Sequence, residues 1–296
     1  MSRLFTFGCS FTATEHYPSW SAFLGLEFKH YENWGVSGIG CKAIAERVAE
    51  CHSKNKFTKD DVVIVQWTTH LRHDYYTTKN SIKEWNGWQT GGNMFNHANR
   101  SVFTDKFVED FFYEPAYVMH CLNEMVLVQA LLESTGCTWY MTSIGDWPLL
   151  CSDIWEDVKP IDIRKEIPLF QCYYDSIWKD YGDHWLEPIG VHAKRTPELI
   201  WFFKDENKNN EWYQEPHPSP QQNANWLNDC LRPKLGLGDP PKEQKLWLDQ
   251  LTRMKEENNH YCLSIQIAYV TKEGKEKYGR EFWPHETLWP LKYIGF

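Results

Sequence analysis

Gly8-Cys9-Ser10 follows a short apolar run, Arg3 to Phe7, so a hydroxyl stands at a sharp turn just after a segment that suits a buried strand. A serine there either caps the next helix or serves as a nucleophile at the carboxyl edge of an open α/β sheet, where ligands bind. Three other groups have the chemistry to join it. Asn33-Trp34-Gly35-Val36-Ser37-Gly38-Ile39-Gly40 opens an amphipathic helix over 41–53, and backbone N–H groups at such a start favour negative charge. It is not a nucleotide loop, because neither G-x-G-x-x-G after the first strand nor the Walker lysine spacing is present. Gln66-Trp67-Thr68-Thr69-His70 ends the buried run Val62 to Val65, which places polar side chains at the same sheet edge. His217, held between Pro216 and Pro218 just ahead of a helix over 221–231, has a constrained loop position and little reason to be core.

The elements that must position these groups alternate between strand and helix. Strands are expected over 3–7, 27–31, from Val62, and over 137–144. Helices are expected from Ser19, read as an N-cap, to Leu26, over 41–53, and from Pro115 to Ser134, where Gly136 ends the last. Residues 71–114 form a polar, aromatic insertion, either a surface excursion or a lid, and 149–211 form a second insertion with a helix near 168–180. Past Leu231 a Gly/Pro linker over 234–241 leads to a helix over 242–257 and an alternating strand from Tyr261 to Val270, half of a hairpin turning at Glu273-Gly274. The expected organisation is therefore a domain over 1–231 and a C-terminal extension over 232–296.

Composition narrows the partners. A net charge of −9 argues against duplex nucleic acid or an anionic membrane as the main partner. Sixteen tryptophans within an aromatic fraction of 16% suit flat ligands such as sugar rings as well as a core. The nine cysteines are scattered, odd in number and never spaced as CxxC, which reads as reduced thiols in a cytoplasmic setting. No signal segment and no apolar run of about 18 residues is present. His70 and His73 form an HxxH pair with no third ligand placed beside it, so neither a metal nor a cofactor is expected.

The ordered set of strand, Gly-Cys-Ser, helix, strand, Asn-x-x-x-Ser-Gly, helix, strand with a polar end, helix, strand, and late His-Pro before a helix resembles the SGNH (GDSL-type) hydrolases over residues 1–231. Gly8-Cys9-Ser10-Phe11-Thr12, Trp67-Thr68 with Arg72, and His217-Pro218-Ser219 look most like members encoded by bacteriophages. The resemblance implies a doubly wound, flavodoxin-like α/β sandwich with a parallel central sheet. It puts the nucleophile on Ser10, the base on His217, and the oxyanion hole on the N–H groups of Ser10 and Gly38. Three departures accompany it. Thr69-His70 stands where the family's third-block Asn completes the hole, and Glu215 stands where an Asp orients the histidine. Cys9 beside the nucleophile replaces the family's Asp. Trp67, Arg72 and Asn33 are the candidate substrate contacts, with Arg72 offering a planar fork to an anionic group or forming a structural ion pair. The implied activity is a serine esterase with an acyl-serine intermediate, acting on a small-molecule or carbohydrate ester. The alternative is the same fold used as a binding or structural module, for example within a phage virion.

Overall fold

Val62 to Val65 are four consecutive β-branched residues with no polar alternation, a pattern suited to a strand covered on both faces. In the computed structural model this run becomes a strand that is buried at every position. The structure describes residues 3–13, 17–72, 74–76, 88–89, 106, 109–110, 113–147, 168–205, 211–214 and 217–257. In chain order the strands are β1 (Arg3–Phe7), β2 (His30–Asn33), β3 (Val62–Trp67), β4 (Tyr75–Tyr76), β5 (Trp88–Gln89), β6 (Thr138–Ser143), β7 (Phe202–Asp205) and β8 (Glu211–Gln214). The α-helices are α1 (Trp20–Gly25), α2 (Cys41–Asn55), α3 (Glu114–Thr135), α4 (Gln171–Tyr174), α5 (Ile189–Ala193), α6 (Pro220–Trp226) and α7 (Lys242–Glu257).

Four strands form a parallel sheet in the order β2-β1-β3-β6. This is the doubly wound, flavodoxin-like arrangement, with its topological switch point between β1 and β3. Alternation along the strands divides the core into two layers. Phe5, Phe7, Val63, Val65 and Trp67 pack with Ile44 and Val48 of α2 and Leu122, Met125 and Leu132 of α3. Leu4, Val62 and Ile64 point to the opposite face, against Trp20, Phe23 and Leu24 of α1, Trp226 of α6 and Trp247 of α7.

Beyond β6 the sheet is extended by a single parallel bridge, Met141 to Trp185, backed by the Leu186 N–H donating to the Met141 carbonyl at 2.8 Å. The chain then turns into α5, where the Gly190 N–H donates to the Ile144 carbonyl at 3.1 Å. A Cβ on Gly190 would stand 2.2 Å from that oxygen, so only glycine allows this approach.

Several elements depart from the sequence expectation. β2 begins at His30 rather than at residue 27, because Glu27 and Phe28 are still donating to Leu24 and Gly25 in turns that continue α1. The helix expected over 168–180 is divided into a 3-10 turn (Pro168–Phe170), α4 and a π-turn (Asp175–Lys179). The helix expected to run to Leu231 likewise passes from α6 into a π-turn at Leu227–Leu231. Packing runs on across residue 231: Trp247 and Leu251 are buried, and the Trp247 ring lies 5.9 Å from Phe23. Arg232, itself buried, pairs with Glu27 across 205 residues. The strand and hairpin expected after Tyr261 lie outside the described residues. Within the 71–114 insertion, β4 and β5 pair antiparallel. No described helix is long and apolar enough to cross a membrane.

Two expectations follow from this packing. Trp247→Ala should lower stability by about 3–5 kcal/mol in urea unfolding, the cost of removing a large buried aromatic from a shared core. The second concerns Asp61, which accepts from Arg3 Nε at 2.8 Å, Arg3 Nη2 at 2.6 Å and the Thr58 N–H at 2.7 Å. Burial opposes its charge, but the Arg3 and Thr58 donors outweigh burial and hold the carboxyl below its ordinary range. The stabilisation is therefore complete above an unfolded value of about 3.9 and is lost as pH falls through the lower folded value. Urea midpoints measured from pH 7 downward should fall less steeply on the acid limb in Asp61→Asn than in the wild type.

Candidate active site

Ser10 is placed by the turn that leaves β1. A Cβ on Gly8 would stand 2.2 Å from Thr12 Oγ1 and 3.0 Å from the Gln66 carbonyl oxygen, so the chain can pass β3 this closely only as glycine. The Cys9 carbonyl then accepts the N–H groups of Thr12 and Ala13, both at 2.9 Å. Thr12 anchors the turn. Its hydroxyl donates to Gln66 Oε1 at 2.5 Å, and its carbonyl accepts from Ser19 Oγ (2.6 Å), Ser21 Oγ (2.9 Å) and Asn33 Nδ2 (2.9 Å). Ser10 is left half-buried on this support, while the Cys9 side chain is fully buried.

This network corrects two sequence expectations. Ser19 does precede α1, but its side chain makes no cap hydrogen bond; the hydroxyl is spent on the Thr12 carbonyl. Asn33, expected as a substrate contact, has its amide engaged inside the protein. Its Nδ2 donates to Thr12 and to Ser21 Oγ, and its Oδ1 accepts the Gly35 N–H at 2.9 Å, so the amide holds the serine turn to the glycine loop.

The glycine loop runs beside the turn: the Trp34 N–H donates to the Thr6 carbonyl at 2.7 Å and the Val36 N–H to the Gly8 carbonyl at 3.0 Å. Gly38 takes a left-handed conformation at φ 77°, which disfavours any side chain there. The loop ends at α2, whose own N-cap, Gly40, has no side chain to offer. Asp74 supplies the cap from another segment, accepting the Gly40 N–H at 2.8 Å and the Ala43 N–H at 2.9 Å. A Cβ on Gly40 would meet the Arg72 carbonyl oxygen at 2.3 Å, so glycine is also what lets this segment reach the helix start. Burial raises the pKa of Asp74, against the two N–H donors and the charges of Arg72 and Lys42. Sequence reading missed Asp74 as an element of the site.

His217 arrives from the far end of the chain. Its Nε2 lies 2.8 Å from Ser10 Oγ across 207 residues, and its ring packs 5.1 Å from the Phe11 ring. The loop that carries it is fixed by a buried capping box: Ser219 Oγ accepts the Gln222 N–H at 3.3 Å, and Gln222 Oε1 accepts the Ser219 N–H at 2.9 Å. Asn223 then ties the loop to α1, donating to the carbonyls of Pro218 (2.8 Å) and Ser219 (3.1 Å) and accepting the Trp20 N–H at 3.0 Å. The Ser219-x-x-Gln222 spacing is a readable capping signal, whereas the contact of Asn223 with Trp20 leaves no local trace. Glu215 lies outside the described residues, as does His73.

The remaining candidates are placed as follows. Trp67 is fully buried with its indole N–H directed at Met141 Sδ, 3.3 Å away, so it belongs to the core and not to a ligand surface. Thr69 is half-buried just past β3, and its Oγ1 accepts the Leu71 N–H at 2.9 Å, which keeps the hydroxyl proton available. His70 is buried with its ring edge-on to Trp147 at 6.1 Å. Arg72 is half-buried, and its positive charge acts on Asp74.

The arrangement is one that nucleophilic chemistry at Ser10 can use: a serine hydroxyl within hydrogen-bond distance of an imidazole nitrogen. Searches with protein-family models and against curated proteins found no match. Among solved structures, the chain is similar to a member of the lipolytic protein G-D-S-L family from Veillonella parvula, at 8% identity and a TM-score of 0.40, over 77% of this chain and 95% of that one. A likeness at that level carries no weight for activity.

Proposed function

We propose that this chain is a serine ester hydrolase that works through an acyl-Ser10 intermediate on an O-acylated carbohydrate or a comparably small polar ester. The observation that carries the reading is the 2.8 Å contact between His217 Nε2 and Ser10 Oγ. Ser10 Oγ attacks the ester carbonyl carbon while Nε2 takes the hydroxyl proton. The oxyanion that forms is met by the N–H groups of Ser10 and Gly38, which act on charge present only in the transition state. His217 then gives its proton to the departing alcohol. Water attacks the acyl-serine with His217 again as base, and collapse of the second tetrahedral intermediate frees the acid and restores Ser10.

Thr69 is the better third donor to the oxyanion, because His70 is buried against Trp147 whereas the Thr69 hydroxyl keeps a proton to give. By its place two residues before His217 in the sequence, Glu215 is the candidate for orienting the imidazole. A base aimed at a serine hydroxyl favours catalysis over a purely binding or virion-structural role. The carbohydrate assignment draws on the aromatic fraction of 16%.

A fluorophosphonate probe should label Ser10 in the full-length protein, and an aryl acetate should give a burst of phenol. A folded wild-type protein that reacts with neither refutes the esterase reading. Ser10→Ala should lower kcat by more than about 10³-fold, since no other group replaces the nucleophile. Asp74→Ala should keep the fold by circular dichroism but release the start of α2, lowering kcat by about 10²-fold with little change in KM, because an ångström of misplacement at an oxyanion donor costs that much.

A further inference from the structure

Outside the Ser10–His217 pair, a second cluster of reactive side chains forms where α5 meets the π-turn that follows α6. Glu187, His192 and Cys230 each bring one donor atom to within 4.8 Å of the others. Their backbones are held independently of any ligand. The Glu187 carbonyl accepts from Thr142 Oγ1 at 3.0 Å and Trp226 Nε1 at 2.8 Å, and Gln222 Nε2 bonds the Ala193 carbonyl at 2.8 Å, tying α5 to α6.

The side chains are arranged in the manner of a ligand set with its supporting groups. His192 is 6% exposed; its Nε2 lies 3.1 Å from Asp229 Oδ2, while its Nδ1 is buried with no hydrogen-bond partner among the described residues. A carboxylate on one imidazole nitrogen that leaves a lone pair on the other is how metal-ligating histidines are usually oriented. A buried polar atom left unpartnered is otherwise costly. On Glu187, Arg195 holds Oε1 and leaves Oε2 facing Cys230 Sγ at 3.9 Å. Burial and the carboxylates of Glu187 and Asp229 raise the pKa of the Cys230 thiol in the absence of a metal.

We infer that Glu187, His192 and Cys230 bind a divalent transition-metal ion of borderline softness, zinc being the natural fit, which clips α5 to the segment that continues from the His217 loop. One sulfur, one imidazole nitrogen and one carboxylate oxygen are a zinc donor set. Donors at zinc distances lie about 3.3–3.8 Å apart, so the cluster needs to contract by roughly an ångström, within the reach of the Cys230 and Glu187 side-chain torsions. The site is independent of the proposed esterase reading.

Cobalt(II) is the probe. Titrated into the chelator-treated, full-length protein, one equivalent should produce a sulfur-to-cobalt charge-transfer band that zinc displaces. Cys230→Ser and His192→Gln, each checked for folding by circular dichroism, should lose the band, whereas Cys172→Ser, at an exposed thiol, should retain it. Asp229→Asn should weaken cobalt binding about 10–100-fold, as loss of the group orienting a ligating histidine does. No band in the wild type at one equivalent, or a band that persists in Cys230→Ser or in His192→Gln, overturns the assignment.

Discussion

Every polar atom of Thr12 is engaged, and the site depends on it. The N–H closes the turn onto Cys9, the hydroxyl reaches Gln66 on β3, and the carbonyl gathers Ser19, Ser21 and Asn33. With Thr12 fully buried, each of these bonds would leave an unsatisfied group if broken, at a cost of about 1–3 kcal/mol apiece. The donors come from the start of α1 and from the end of β2, so one residue joins three segments around the turn that presents Ser10. The serine itself is left free of that network, half-buried and facing His217.

Glycines set how closely those segments meet. At Gly8, Gly35 and Gly40 an added Cβ would stand 2.2 Å from Thr12 Oγ1, 2.8 Å from the Ala13 nitrogen and 2.3 Å from the Arg72 carbonyl oxygen, respectively. The serine turn, the glycine loop and the start of α2 can therefore nest only with hydrogen in those positions. Asp74 completes the arrangement by satisfying two N–H groups at the start of α2 that Gly40 cannot cap. His217 is held differently: α6 is fixed at its start by a capping box and by Asn223, and His217 sits just outside that rigid frame.

The α/β class, the four sheet strands and most helix ends were legible in the sequence because each is encoded by neighbours: the β-branched run at 62–65, the glycine at 136, the helical spacing over 242–257. The residue types at Ser10, Gly38 and His217 were legible for the same reason, each sitting at a local break between elements. The errors fell where a side chain had to choose between partners. The resemblance makes Trp67 a candidate substrate contact, yet the phase of the two-residue alternation sends it into the core with Met141. Ser19 and Asn33 carry polar groups suited to a cap or a ligand, and burial of the Thr12 carbonyl claims both.

What the sequence determined by itself is the order of elements and the chemical types available at the carboxyl edge of the sheet. Only the tertiary structure decided that Ser10 and His217 meet at 2.8 Å across 207 residues, that Asp74 caps α2, and that Glu187, His192 and Cys230 converge. The reason is physical. Strand and helix signals are carried by interactions a few residues long, whereas a hydrogen bond between distant segments exists only once strand order and packing have brought its two ends into register.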